Sequence, residues 1–209
     1  MGTEHIPVRT DVDKIVDTGI GLMTGSGYVP LLDEVKSAIS EAEITHTDQI
    51  IDIIQEKRAK IRNNSALPAN QEVDFLANTH WLFSYYTVAD NEPAIRVAAY
   101  SPRVSEKYLG IVEENGSSAS FPSDSTAATR ESFTSALRSG MAPSDGPASI
   151  EETLSLNSRL ILRLMSEMSR ISSLVSEACD IGVVFLEGTM LMAKNVSIHT
   201  PNISFQVMT

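Results

Sequence analysis

The most regular alternation of apolar and polar positions lies between Ser149 and Asp180, SIEETLSLNSRLILRLMSEMSRISSLVSEACD. At about 100° per residue, Leu154, Leu160, Ile161, Leu164, Met165, Met168, Ile171, Val175 and Ala178 share one broad arc, as on a helix packed against a core. Ser149 is a good N-cap, and Glu152 follows three residues later, where a capping box places its carboxylate. Glu151 and Glu152 also suit the positive end of the helix dipole. No Gly or Pro interrupts the run before Gly182. The pattern predicts one long helix over residues 149–181.

Shorter helical patterns precede it. Pro30 suits a first turn, and Leu31, Leu32, Val35 and Ile39 form one apolar side of a helix ending near Ala42. Thr47 is placed to cap a second helix, Asp48 to Arg62, with Ile50, Ile51, Ile53, Ile54 and Ile61 inward; the two read as an αα-hairpin. Asn70 is placed to cap a helix running to Ala89. It would carry Phe75, Leu76, Trp81, Leu82, Phe83, Tyr85, Tyr86 and Val88 into the centre of the core. Residues 93–100 fit a strand or a helix equally. Ser101-Pro102 reads as the start of another helix, and Thr126 to Ser139 as a short one closed by Gly140.

Beyond Gly182 the runs become β-branched and aromatic, with Gly, Asn and Pro between them. Val183–Leu186 reads as a strand, and 196–199 with 203–207 as a hairpin; resumption of the long helix through Thr189–Lys194 is the alternative. The expected fold class is mainly α: a bundle of about five to six helices, with the long helix in the C-terminal half and a small β element at the C-terminus. Residues 1–28, with glycines at 19, 21, 25 and 27, read as a flexible N-terminal segment. Residues 29–209 read as a single helical domain, with 115–148 a loop, short helix and loop that leave its body.

Composition narrows the function. A net charge of −11 over 209 residues argues against a protein that coats nucleic acid with broad basic charge, while leaving room for a local basic groove. One cysteine, Cys179, makes no internal disulfide. The polar N-terminus has no apolar signal core, and no run of about 18 apolar residues occurs, so the expected location is cytoplasmic rather than secreted or membrane-bound. His5, His46, His80 and His199 fall in no metal-binding spacing, there is no G-x-S-x-G elbow, and the glycine run matches neither nucleotide-binding fingerprint. No catalytic residue, metal site or cofactor is assigned, and an enzyme is not the expectation.

What remains is arginine. Arg159, Arg163 and Arg170 fall within about 40° of one another on the polar side of the long helix. Arg rather than Lys at regular spacing suits bidentate contact with carboxylates or phosphates. Arg130 and Arg138, in the 115–148 segment, are secondary candidates. Lys57, Arg58, Lys60 and Arg62 end the second helix, where cations offset the helix dipole or form a phosphate patch.

In composition and expected architecture the chain resembles the coat proteins of helical rod-shaped or filamentous RNA viruses. That resemblance implies lateral packing of a helical bundle, arginines that reach RNA, and a place in the virion. The expected function is accordingly a non-enzymatic, self-assembling structural protein of the coat or nucleocapsid type, homo-oligomeric and binding RNA through the arginine stripe. A helical adaptor for a partner protein and an enzyme without a readable motif stand beside it.

Overall fold

The computed structural model describes residues 14–64, 75–112, 119–122, 124–143 and 146–208. The extended N-terminal residues, the Asn70 cap and the linker at 115–118 lie outside that set. The chain is not a mainly helical bundle. Its elements in order are β1 (Ile15–Asp17), β2 (Gly21–Ser26), α1 (Val29–Glu41), α2 (Thr47–Asn64), β3 (His80–Ala89), β4 (Glu92–Tyr100), β5 (Gly110–Ile111), α3 (Ala127–Gly140), α4 (Ile150–Ile171), β6 (Cys179–Val184), β7 (Met190–Val196) and β8 (Gln206–Val207). The strands form two antiparallel sheets, ordered β1-β2-β3-β4-β5 and β6-β7-β8.

The largest correction concerns the aromatic run. Residues 80–89 form a strand, not a helix. Trp81 and Phe83 point into the core while Tyr86 and Val88 are exposed, the period of two that a half-covered sheet imposes. Asp90 and Asn91 both take positive φ, 53° and 67°, in the two-residue turn that joins Ala89 to Glu92. That is the type I′ hairpin, for which Asp and Asn are suited. Once the turn forms, β4 pairs along the whole of β3 and the segment at 92–100 becomes a strand. The expected helix after Ser101-Pro102 is instead a turn, with Val104 and Ser105 N–H groups both donating to the Ser101 carbonyl.

The glycine segment also forms strands. Gly25 in β2 lies under the Trp81 ring, where a Cβ would sit 2.7 Å from Cε3. β2 pairs with β3 from Gly21↔Tyr85 to Ser26↔His80.

The chain divides into two compact units. One holds Lys14–Ser120, Gly182–Met192 and Gln206–Thr209. Its core is the inner face of the five-stranded sheet covered by the α1–α2 hairpin: Met23, Trp81, Phe83 and Tyr100 meet Leu31, Val35, Ile39, Ile50 and Ile54. The αα-hairpin and its inward isoleucines are as the periodicity predicts. The turn before α2 is tied by Gln49, whose Oε1 accepts from the Thr45 and His46 N–H groups at 2.7 and 2.9 Å.

The other unit holds Phe121–Ile181 and Ala193–Phe205. Ser149 caps α4 as expected, its hydroxyl accepting from the Glu152 N–H at 3.2 Å. The helix ends at Ile171, ten residues before the predicted limit of 181. From Cys179 the run CDIGVV puts Cys179 and Ile181 inward and Asp180 outward, so strand alternation replaces the helical arc. Leu162, Cys179, Ile181, Ala193 and Val196 make this unit's core. The end of α3 packs against α4. Asn157 holds Ala142 by both its N–H and its carbonyl, at 2.7 and 3.0 Å, and a Cβ on Gly140 would lie 3.0 Å from Leu160 Cδ2.

Candidate functional site

The polar side of α4 is built by what the rest of the helix does. Ser158, Leu162 and Ser166 face one packed flank, and Leu160 with Met168 face another. Between these flanks a strip stays exposed, carrying Glu152, Leu156, Arg159, Arg163, Glu167 and Arg170. Arg163 Nε lies 3.9 Å from Glu167 Oε1, a loose i,i+4 pair in solvent worth about 0.3–0.5 kcal/mol at most. Leu156 and Ile171, both at least half exposed, add apolar area beside the guanidinium groups. Ser166 is buried and donates to Glu177 Oε1 at 3.0 Å.

The secondary arginines lie on α3. Arg130 Nη2 donates to the Ser125 carbonyl at 3.0 Å, one turn before it, and Arg138 is exposed in the last turn. Among the described residues no hydrogen bond or ion pair joins either to the α4 strip.

The basic end of α2 is not gathered into one patch. Lys57 pairs with Glu56 at 3.2 Å and Lys60 with Glu34 at 2.9 Å. Arg58 is buried and faces Glu106 Oε1 at 3.9 Å. Arg62 is exposed in the last turn. Burial of Arg58 follows from its position one turn after Ile54, on the inward side of the helix. That signal was readable, since Ile50, Ile54 and Arg58 share i, i+4 spacing.

A pairing that the sequence does not announce joins His80 to Ser101. His80 Nδ1 and Ser101 Oγ are 2.9 Å apart at one end of the β3–β4 pair. Burial holds the His80 imidazole below its ordinary titration range, and Arg103 adds to the effect. A neutral histidine beside a hydroxyl is the start of a nucleophile–base arrangement. Among the described residues no carboxylate bonds the other ring nitrogen, so the third group that would orient the base is not in place. Nor does any group of three or more His, Cys, Asp or Glu among them stand ready to hold a metal ion, and no helix of the described residues is long and apolar enough to cross a membrane. Cys179 is buried.

Compared with known protein families, with curated proteins and with solved structures, the chain matches none of them significantly. The α4 strip is therefore weighed on its own chemistry.

Proposed function

We propose that the chain is a non-enzymatic structural protein that assembles with copies of itself, and that the exposed strip of α4 is a contact surface between copies. The observation that carries this reading is the mixture on the strip: Arg159, Arg163 and Arg170 interleaved with Glu167 and flanked by exposed Leu156 and Ile171. Arginine with apolar neighbours is the composition of protein interfaces. Glu167 beside Arg163 repels phosphate, which makes the strip a poorer match to a phosphate track. A chain of net charge −11 also offers abundant carboxylates to a guanidinium fork on the next copy. The helical-bundle half of the likeness to rod-shaped virus coat proteins is absent from this fold, so the reading keeps self-assembly and does not extend to RNA.

The test is sedimentation velocity of the purified protein over a hundredfold concentration range, with absorbance at 260 and 280 nm to detect bound nucleic acid. Concentration-dependent growth that Arg163→Glu reduces, with circular dichroism unchanged, is the expected result. A single small species at every concentration sinks the reading. Co-purifying RNA lost in Arg163→Glu transfers the strip to nucleic acid.

A further inference from the structure

Within the unit built on the five-stranded sheet, the turn between β4 and β5 presents apolar and cationic side chains together. Val104 is 86% exposed and Tyr108 73%, with Arg103 and Lys107 exposed beside them in sequence. Apolar side chains on a slack loop normally fold inward. Here the backbone fixes them outward. The Ser101 carbonyl accepts from both Val104 and Ser105 N–H groups, at 2.9 and 3.0 Å, and Ser105 Oγ accepts from the Lys107 and Tyr108 N–H groups. Glu106 is the anchor: its carbonyl accepts from Tyr100 Oη at 3.1 Å and from Gln55 Nε2, and its carboxylate faces buried Arg58. A preorganised loop loses little entropy when it docks, so the same contacts bind more tightly.

The complementary surface lies elsewhere on the same unit. An open groove of about 370 Å³ runs along α1 against α2, lined by Asp33, Glu34, Ser37, Ala38, Glu41 and Lys57. Asp33, Glu34 and Glu41 lie there with Lys57, and Lys60 pairs with Glu34 at 2.9 Å, which leaves acidic groups in excess of cations along the groove. Lys57, on the groove, is about 100° around α2 from Arg58 and about 200° from Gln55, the two residues that hold the turn. The turn is thus pinned to a different side of α2 and does not reach the groove of its own chain.

We propose that the Arg103–Tyr108 turn of one copy docks into the acidic α1–α2 groove of the next. Lys107 and Arg103 meet Glu41 and Asp33, and Tyr108 and Val104 cover the Ala38 side of the groove. Because turn and groove are different surfaces, the contact is heterologous, and it propagates as a ring or filament instead of closing a pair. The inference rests on self-assembly as proposed above and adds a second contact to it.

The test uses two full-length variants: a turn variant, Lys107→Glu with Tyr108→Ser, and a groove variant, Ser37→Lys with Glu41→Lys. All four positions are exposed, and circular dichroism should match wild type for both. By sedimentation velocity each variant alone stays smaller than wild type. An equimolar mixture grows larger than either variant, because each supplies the surface the other lacks. Either variant assembling to wild-type size, or a mixture no larger than its components, overturns the docking. Wild type that never assembles overturns both this contact and the reading beneath it, whereas assembly lost only in Arg163→Glu retains the α4 strip and discards the turn.

Discussion

Ser172 Oγ lies 2.8 and 2.9 Å from the two carboxylate oxygens of Asp124, and it also accepts the Leu174 N–H at 3.1 Å. Ser172 is almost wholly buried and is the C-cap of α4. One hydroxyl therefore ends the helix, starts the following turn and ties it to the segment before α3. Hydrogen bonds to charged groups contribute about 1.5–3 kcal/mol, and the exposure of Asp124 favours the lower end. Asp124→Ala should destabilise this unit by about 1–2 kcal/mol, and Asp124→Asn by less, because an acceptor remains. Urea denaturation of both, with Ser172→Ala and the double variant, gives the coupling. Additive losses would show that the two side chains act independently.

This contact also shows where sequence reading loses its grip. The α1–α2 hairpin was legible because its apolar spacing is helical and its partner is the adjacent helix. The start of α4 was legible for a local reason, the Ser149 cap. Its end was not, since Val175 and Ala178 extend the apolar arc, and only Asp124, far away in sequence, gives Ser172 its partner. The aromatic run at 80–89 failed for a related reason: apolar residues fill both strand faces, so the period of two is masked. Asp90-Asn91 was the available signal for the hairpin. The α4 arginines are exposed as the spacing suggested, whereas the α2 cations were dispersed by partners, Glu34 and Glu106, that no local pattern identifies.

Trp81 is fully buried, and its Nε1 has no hydrogen-bond partner among the described residues. An unpaired buried donor costs about 1–3 kcal/mol, while the ring's burial stabilises by more. Trp81→Ala should cost about 3–5 kcal/mol through the cavity it leaves. Trp81→Phe should cost clearly less than that, since it keeps most of the ring volume and removes the orphan N–H. Guanidinium melts followed by circular dichroism compare them. Equal losses would mean that the indole N–H finds a partner in solution.

Three glycines should separate packing from backbone conformation. On Gly25 a Cβ would meet Leu32 Cδ2 and Trp81 Cε3 at 2.7 Å, both held in the core, so Gly25→Ala should cost about 1–3 kcal/mol by overpacking. Gly27 has φ +128°, and its Cβ would meet backbone at Thr79 Cα and Asn78 O, at 2.6 and 2.8 Å. Gly27→Ala combines strain with a clash that no side-chain rotation relieves, and should be the most damaging of the three. Gly188 has φ +86° and nothing within 4 Å, so Gly188→Ala carries the left-handed penalty alone, about 1–2 kcal/mol. Thermal melts give the order, and a Gly188→Ala loss exceeding that of Gly27→Ala would contradict it.

His80 sets a pH dependence whose sign is fixed by its surroundings. Burial, then Arg103, lowers its pKa in the folded chain below the ordinary histidine value near 6.5. Above that value the side chain is neutral in both states and costs nothing. As pH falls below about 6.5 the unfolded chain takes up a proton that the folded chain still refuses, so stability declines until the folded pKa is passed. The Ser101 hydroxyl, 2.9 Å from Nδ1, suits the neutral ring as a donor and must turn to accept if the ring is charged. His80→Gln keeps a polar partner for Ser101 and removes the titration. Denaturation between pH 7.5 and pH 5 should therefore show a steeper loss for wild type than for His80→Gln. Parallel profiles would mean that His80 titrates normally in the folded chain.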